Sequence, residues 1–418
     1  MTMPVKYLYR LLTVCMLMHV HSLYATIWQV QPNGAIRSVQ EAINRAKPGD
    51  TIVVAPGTYR EQTITVNKPL YLKGNGFPVL DGERKYEILA IRSDNVVVEG
   101  FAVQHSGYSS YNDIAGIRIY NARNVIVRNN KLFDTFFGIY SQHAVHCTIS
   151  GNELQSKAVT ELNSANGIHC WKSDSMHILN NVITGHRDGI YFEFVTNSLI
   201  ENNRSYNNVR YGLHFMFSHA DSYIGNTFQN NGAGVAVMFS KKVTMLRNQF
   251  RENWGPAAYG ILLKEISDSR IEGNHFYRNT AAIYMEGTTR IQVTRNVFDN
   301  NGWAVKVQAS CSENNFSENN FTGNTFDVAT NGSLVLNTFN GNYWDKYEGY
   351  DLDRNGTGDV PYRPVSLYSM IAERNPSTMM LFRSFMVTLL DKSEKIIPGI
   401  TPVDLKDDTP KMKPYKPH

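Results

Sequence analysis

Two histidines and two methionines share one repeating frame. His169, His214, Met216 and Met238 each fall two or four residues after a recurring glycine (Gly167, Gly212, Gly234). Imidazole with thioether is a soft donor set that suits copper, above all Cu(I). The plainer reading is an amphipathic patch with scattered Met and His. His143 and His146 form a second, looser pair.

A hard-donor set lies near the C-terminus. Asp351, Asp353, Asn355 and Asp359 alternate along DLDRNGTGD, with Gly356 in the sixth place. That order matches the first nine positions of a calcium loop. Tyr362 stands at position twelve, where a calcium loop needs an acid. The competing reading is a loop of Asx turns.

A third chemistry, acid–base attack on a polysaccharide, needs two carboxyl groups about 5–9.5 Å apart. The repeat offers none. Asp188 has no acidic neighbour in its column. Glu193 and Glu286 are four repeats apart, roughly 19 Å at β-stacking distance. Asp188 and Glu193 lie about 16 Å apart along one strand. Gly185-His-Arg-Asp-Gly189 reads as a turn. The chain is therefore not expected to be an enzyme, although a carbohydrate-active lyase, epimerase or binding module is the alternative.

These residues can meet only if a regular element stacks them. Gly or Ala followed by a branched residue begins at 116, 138, 167, 189, 212, 234, 260, 282 and 304, mostly 22 or 23 residues apart. Asparagines at 130, 152, 181, 203, 226, 248, 274 and 296 keep the same steps, and an apolar residue follows two places later in all but one case. Apolar alternation of period two within each unit marks strands. Units this short must stack, so the fold class is all-β, a right-handed parallel β-helix over 26–340. The asparagines then form a ladder, and Phe194, Phe217 and Phe239 stack likewise. Two units are long, within Gln155–Asn166 and near Asn253–Tyr259, and should form flanking loops.

Both ends read as caps. Arg37–Lys47 has helical spacing with Ser38 as N-cap. Residues 341–364 form a C-terminal cap with the Asp-rich loop. In the tail, 365–418, Asn375-Pro376 predicts a helix start, and Met379, Leu381, Phe382, Phe385, Met386, Leu389 and Leu390 give an apolar stripe too short and too charged to span a bilayer. From Pro398 the chain is expected to be extended or disordered. Lys6, Arg10 and apolar Leu11–Val20 before Ala25 read as a signal peptide over 1–25.

The 418 residues carry a net charge of +4 with 19% charged side chains and no basic cluster, which argues against nucleic-acid and acidic-membrane partners. Cys147, Cys170 and Cys311 are odd in number and widely spaced, so free buried thiols are expected.

Ala35–Ile43 and Pro48–Tyr59 resemble the opening of pectin-lyase-like β-helices. Gly341-Asn-Tyr-Trp-Asp345 followed by Asp351-x-Asp353-x-Asn355-Gly-x-Gly-Asp359-x-Pro361-Tyr362, with the signal segment and Met-rich tail, is similar to the NosD family. The resemblance implies a periplasmic, non-enzymatic, copper-binding accessory role in assembling the copper–sulfide centre of nitrous oxide reductase. It implies an ABC transporter permease and ATPase as partners, with nitrous oxide reductase and a copper chaperone lipoprotein, and membrane contact only through the permease. It supplies no ligand motif, so the His169/His214/Met216/Met238 set rests on the columns alone.

Overall fold

In the computed structural model, residues 25–109, 111–162, 164–332, 336–382, 384–397 and 405–416 are described. The signal segment up to Tyr24 lies outside them.

The chain winds as a parallel β-helix of three sheets with 14, 12 and 13 strands, each strand hydrogen-bonded to its equivalents one coil before and after. Alternation puts one set of side chains inside. In Ala233–Met238, Val235 and Val237 are fully buried in the core while Met238 faces outward. Phe228, Phe250, Phe276, Phe298 and Phe321 form a continuous interior stack ending on Trp344. Ring pairs of this kind add about 0.5–1.5 kcal/mol each beyond burial.

The asparagine ladder is present and longer than the sequence markers indicate. The ladder runs from Asn130 to Asn342, and from Asn152 on each Oδ1 accepts the backbone N–H and the side-chain amide of the preceding rung, as Asn248 does from Asn226 at 2.9 and 3.0 Å. Each Nδ2 also donates to a backbone carbonyl, as Asn248 does to Tyr223 at 2.9 Å. A second ladder, Asn208 to Asn324, runs along another corner. These bonds satisfy turn groups that no sheet reaches.

Four long connections leave the solenoid at the corner between the 13- and 12-stranded sheets. They span 82–88, 105–114, 156–167 and 252–258. The last two are the expected inserts. The earlier pair precedes or interrupts the first clear repeat marker at Gly116, which hid it from a period search. All four wall one edge of the outer face of the 12-stranded sheet.

At the N-terminal end, α1 (Val39–Arg45) covers the first coil, and Ser38 accepts from Glu41 N as the expected N-cap. Glu61 takes the Val39 and Gln40 N–H groups at 2.7 and 3.0 Å, filling the rest of that helix start. Cys147, Cys170 and Cys311 are free and buried.

The C-terminal helices differ in phase from the sequence reading. α2 (Leu367–Arg374) starts earlier, capped by Ser366; Pro376 opens a 3-10 turn, Pro376–Leu381; α3 (Phe385–Ile396) starts after Ser384. Asn375, with φ −137° and ψ 89°, ends the first helix and is the N-cap of the 3-10 turn, so the expected start at Asn375-Pro376 is present but is 3-10 and short. α2 docks on the sheet through Lys306–Glu373 at 2.6 Å and the packing of Tyr368 and Ala372 on Phe326. The far side of the tail leaves Met380, Phe385, Met386 and Leu389 exposed. No helix among the described residues is long and apolar enough to cross a membrane.

Candidate functional site

The outer face of the 12-stranded sheet carries the sequence-selected residues. Met216 and Met238 are register partners on adjacent strands, and Glu193 precedes Met216 in the same column. Tyr191 Oη donates to Met216 Sδ at 3.7 Å. His214 lies two residues before Met216 on the strand Tyr211–Met216, so both point outward.

His169 does not join them. Tyr191 stands between the two imidazoles, with ring centroids 4.8 Å from each. A polar chain fixes His169: Arg187 Nη2 donates to Asn166 Oδ1 at 3.2 Å, which turns the Asn166 amide nitrogen toward His169 Nδ1 at 3.1 Å. Nδ1 is then the acceptor, and the ring proton belongs on Nε2. Burial, then the Arg187 charge, pushes the His169 pKa down to about 3, so the ring is neutral. Neither nitrogen of His169 offers a free lone pair in this arrangement.

His214 is different. It is 5% exposed, and neither ring nitrogen has a hydrogen-bond partner in the protein. Its Nδ1 is 3.9 Å from Asp188 Oδ2, too long for a hydrogen bond but close for a charge contact. Asp188 is wholly buried and clamped by Arg210, whose Nη1 also reaches Glu161 at 3.7 Å. Burial opposes ionisation of Asp188; the contacts from Arg210 and then His214 outweigh it and hold the carboxyl below its ordinary value.

The column search missed Glu161 because it sits in the 156–167 loop, outside the repeat. It reaches the same guanidinium as Asp188. The two carboxylates share a guanidinium instead of facing a gap, and Asp188 presents no surface to a substrate. Arg210 and Asn166 gave no signal as partners, since their roles arise from cross-coil neighbours and not from local motifs.

Among the described residues, no three His, Cys, Asp or Glu side chains group as a metal holder. Any cluster here must draw on thioethers. His143 packs edge-on against Trp171 at 5.0 Å. In the Asp-rich loop, the carboxylates already accept backbone N–H groups: Asp351 from Asn355 and Gly356, Asp353 from Asn355, and Asp359 from Leu352, at 2.7–3.1 Å. This is the hydrogen bonding of an Asx-turn loop.

Beside the methionines, Phe194, Phe217 and Phe239 stack at 5.2 and 5.0 Å as expected. All three hold φ between 51° and 54°. The left-handed region is unusual for bulky residues.

Residues 151–349 match the family described as periplasmic copper-binding protein (NosD). The chain is 26% identical to the probable ABC transporter binding protein NosD of Stutzerimonas stutzeri, over 85% of each chain. It is 26% identical to the protein of the same name from Pseudomonas aeruginosa, covering 86% of this chain and 87% of that one. Among solved structures, the A-module of the Azotobacter vinelandii mannuronan C-5 epimerase AlgE6 superposes with a TM-score of 0.52 at 17% identity, covering 73% of this chain and 94% of that one. That likeness is one of fold.

Proposed function

We propose, from the premise that this is a NosD-like chain over most of its length, that it is a periplasmic, non-enzymatic accessory protein that carries copper for assembly of the copper–sulfide centre of nitrous oxide reductase. The observation that carries the reading is the similarity to NosD proteins across more than four-fifths of the chain. The copper family description adds to it.

Copper is cargo in this reading. Met216 and Met238 offer two thioethers one coil apart, roughly 4.8 Å. His214 adds an imidazole nitrogen from the same strand, and Glu193 a carboxylate from the preceding coil. Thioethers bind Cu(I) softly and release it to a stronger thiolate or imidazole site, as a relay requires. His169 acts behind this set, holding Tyr191 in place. The Asp-rich loop is kept as a weaker calcium proposal.

An ABC transporter permease, with its ATPase, is the proposed membrane partner, and the exposed apolar side of 376–397 is the proposed contact. Nitrous oxide reductase and a copper chaperone lipoprotein complete the relay.

Anaerobic Cu(I) titration with a competing chromophoric ligand tests the metal reading. Mature protein should bind Cu(I), and His214→Ala with Met216→Ala should weaken binding at least tenfold, about 1.4 kcal/mol. Equal binding by the variant removes this site. No binding by the unmodified protein removes copper handling itself.

A further inference from the structure

The C-terminal end of the solenoid is closed by the chain's own last segment. Residues 405–416 lie against the final coil after a connection from α3. Asp407 takes the place of the next ladder asparagine. Its Oδ2 accepts Asn342 N at 2.9 Å and Asn342 Nδ2 at 3.0 Å, the same pair of bonds that every earlier rung receives. Oδ2 also accepts Trp344 Nε1 at 3.1 Å, and Oδ1 accepts Gly341 N at 2.9 Å and Thr409 N at 3.1 Å.

An asparagine could not do all of this. Its NH2 would face the Gly341 and Thr409 donors. A carboxylate has acceptors on both sides and no donor to pass onward. Asp407 therefore ends the ladder where asparagine would propagate it.

The backbone agrees. Phe339 bridges Asp407 and Tyr343 bridges Lys411 in parallel, extending two sheets by one partial coil. On the other side, Thr357 and Tyr362 bridge the same segment antiparallel, so it is enclosed. Tyr415 N and O pair with the Asn320 side chain at 2.9 and 2.8 Å. Leu405 is buried in the main core.

We infer that residues 405–416 are a plug that prevents the C-terminal ends of two copies of this chain from pairing. Without the plug, the last coil presents strand edges from the 14- and 13-stranded sheets together, with Phe339 and Trp344 beneath them. Open edges of this kind template pairing with another chain. The surface that matches both edges in spacing and angle is another such end. The N-terminal end is already covered by α1 and Ile27–Val30. Two bare C-terminal ends would meet about a two-fold axis, with strands antiparallel, and close as a dimer.

The test uses the full chain with Asp407→Ala, and separately with Asn320→Ala plus Tyr415→Phe, which loosens the plug from its far end. Hydrogen exchange is followed at 405–416, at 339–344 and in the middle coils, and mass is followed by light scattering across a concentration series. The expected result is exchange at 405–416 at least about tenfold faster, protected middle coils, and a mass that doubles with concentration. A peptide of sequence 405–416 in excess should return the mass to that of one chain. If the plug loses protection and the mass stays single at every concentration, the inference falls. If 405–416 stays protected in both variants, Asp407 is not its anchor, and the inference falls as well.

Discussion

Arg210 grips Asp188 through two hydrogen bonds, Nε to Oδ1 at 2.9 Å and Nη2 to Oδ2 at 2.5 Å, across one coil of the solenoid. The carboxylate is sealed from water, and the guanidinium is its main compensation. The pair fixes the floor beside His214 and ties the 156–167 loop to the sheet through Glu161.

Arg210→Ala leaves a buried, unpaired carboxylate. A loss of about 3 kcal/mol is expected in urea unfolding. The acid limb should move too. Asp188 has a lowered native pKa, so its contribution is present above the unfolded value near 4 and fades as pH falls through the native value. Arg210→Ala should lose that fade, which lies below about pH 4.

Asp221 behaves in the opposite sense. Burial pushes its pKa up to about 8, and Oδ2 has no partner while Oδ1 accepts Ser198 N at 2.8 Å. Between the unfolded value near 4 and about 8, the native state holds one more proton than the unfolded chain. Stability therefore falls as pH rises through that window. Asp221→Asn should raise the melting temperature at pH 8, leave it nearly unchanged at pH 4, and flatten the profile between. A variant no more stable than the parent at pH 8 would contradict the protonated core acid.

The central ladder rungs should be costly to remove. Asn248→Ala strips acceptors from Asn226 and a donor from the Tyr223 carbonyl, all in the dry interior. Orphaned buried groups cost about 1–3 kcal/mol each. A loss of roughly 3 kcal/mol is expected by chemical denaturation, whereas a change under about 1 kcal/mol would mean that water takes over the bonds.

The outward phenylalanine stack, with half-buried Phe217 at its middle, should matter little for folding. Phe217→Asn relieves a left-handed backbone costing roughly 1–2 kcal/mol and gives up stacking worth about as much. Stability within about 1 kcal/mol of the parent is the expected outcome by thermal melting. A large loss would make the stack a folding element.

The tail should matter for assembly and not for the solenoid. Met380→Glu with Phe385→Glu changes two side chains that are 90% and 83% exposed. Melting should be unchanged, while co-purification with the transporter should fail. Intact co-purification would remove the tail as the permease contact.

The architecture was legible because it repeats. Each coil restates the Gly-Ile and Asn-x-Phe frame, so a local irregularity such as Ser205 in the apolar column does not obscure it. The Met216–Met238 adjacency followed from that register alone. What escaped was everything outside the period. Glu161 and Arg210 meet through an insert, and the clamp on His169 Nδ1 depends on Asn166 being turned by Arg187. Asp407 is 65 residues from Asn342 in a Pro/Lys/Asp-rich stretch that reads as unstructured, because its partner is a shape and not a sequence pattern.

Four long connections share one corner, and this bears on how such a molecule can be changed. At the corner holding the main ladder, one added residue would throw an asparagine out of line and break bonds to both neighbouring coils. At the corner carrying 105–114 and 156–167, length is free to vary while the stack keeps count. New segments can be grafted there, and deletions tolerated, with the outer sheet as a fixed floor. Recognition can thus diverge among descendants of this chain by rewriting one wall, with no renegotiation of the fold.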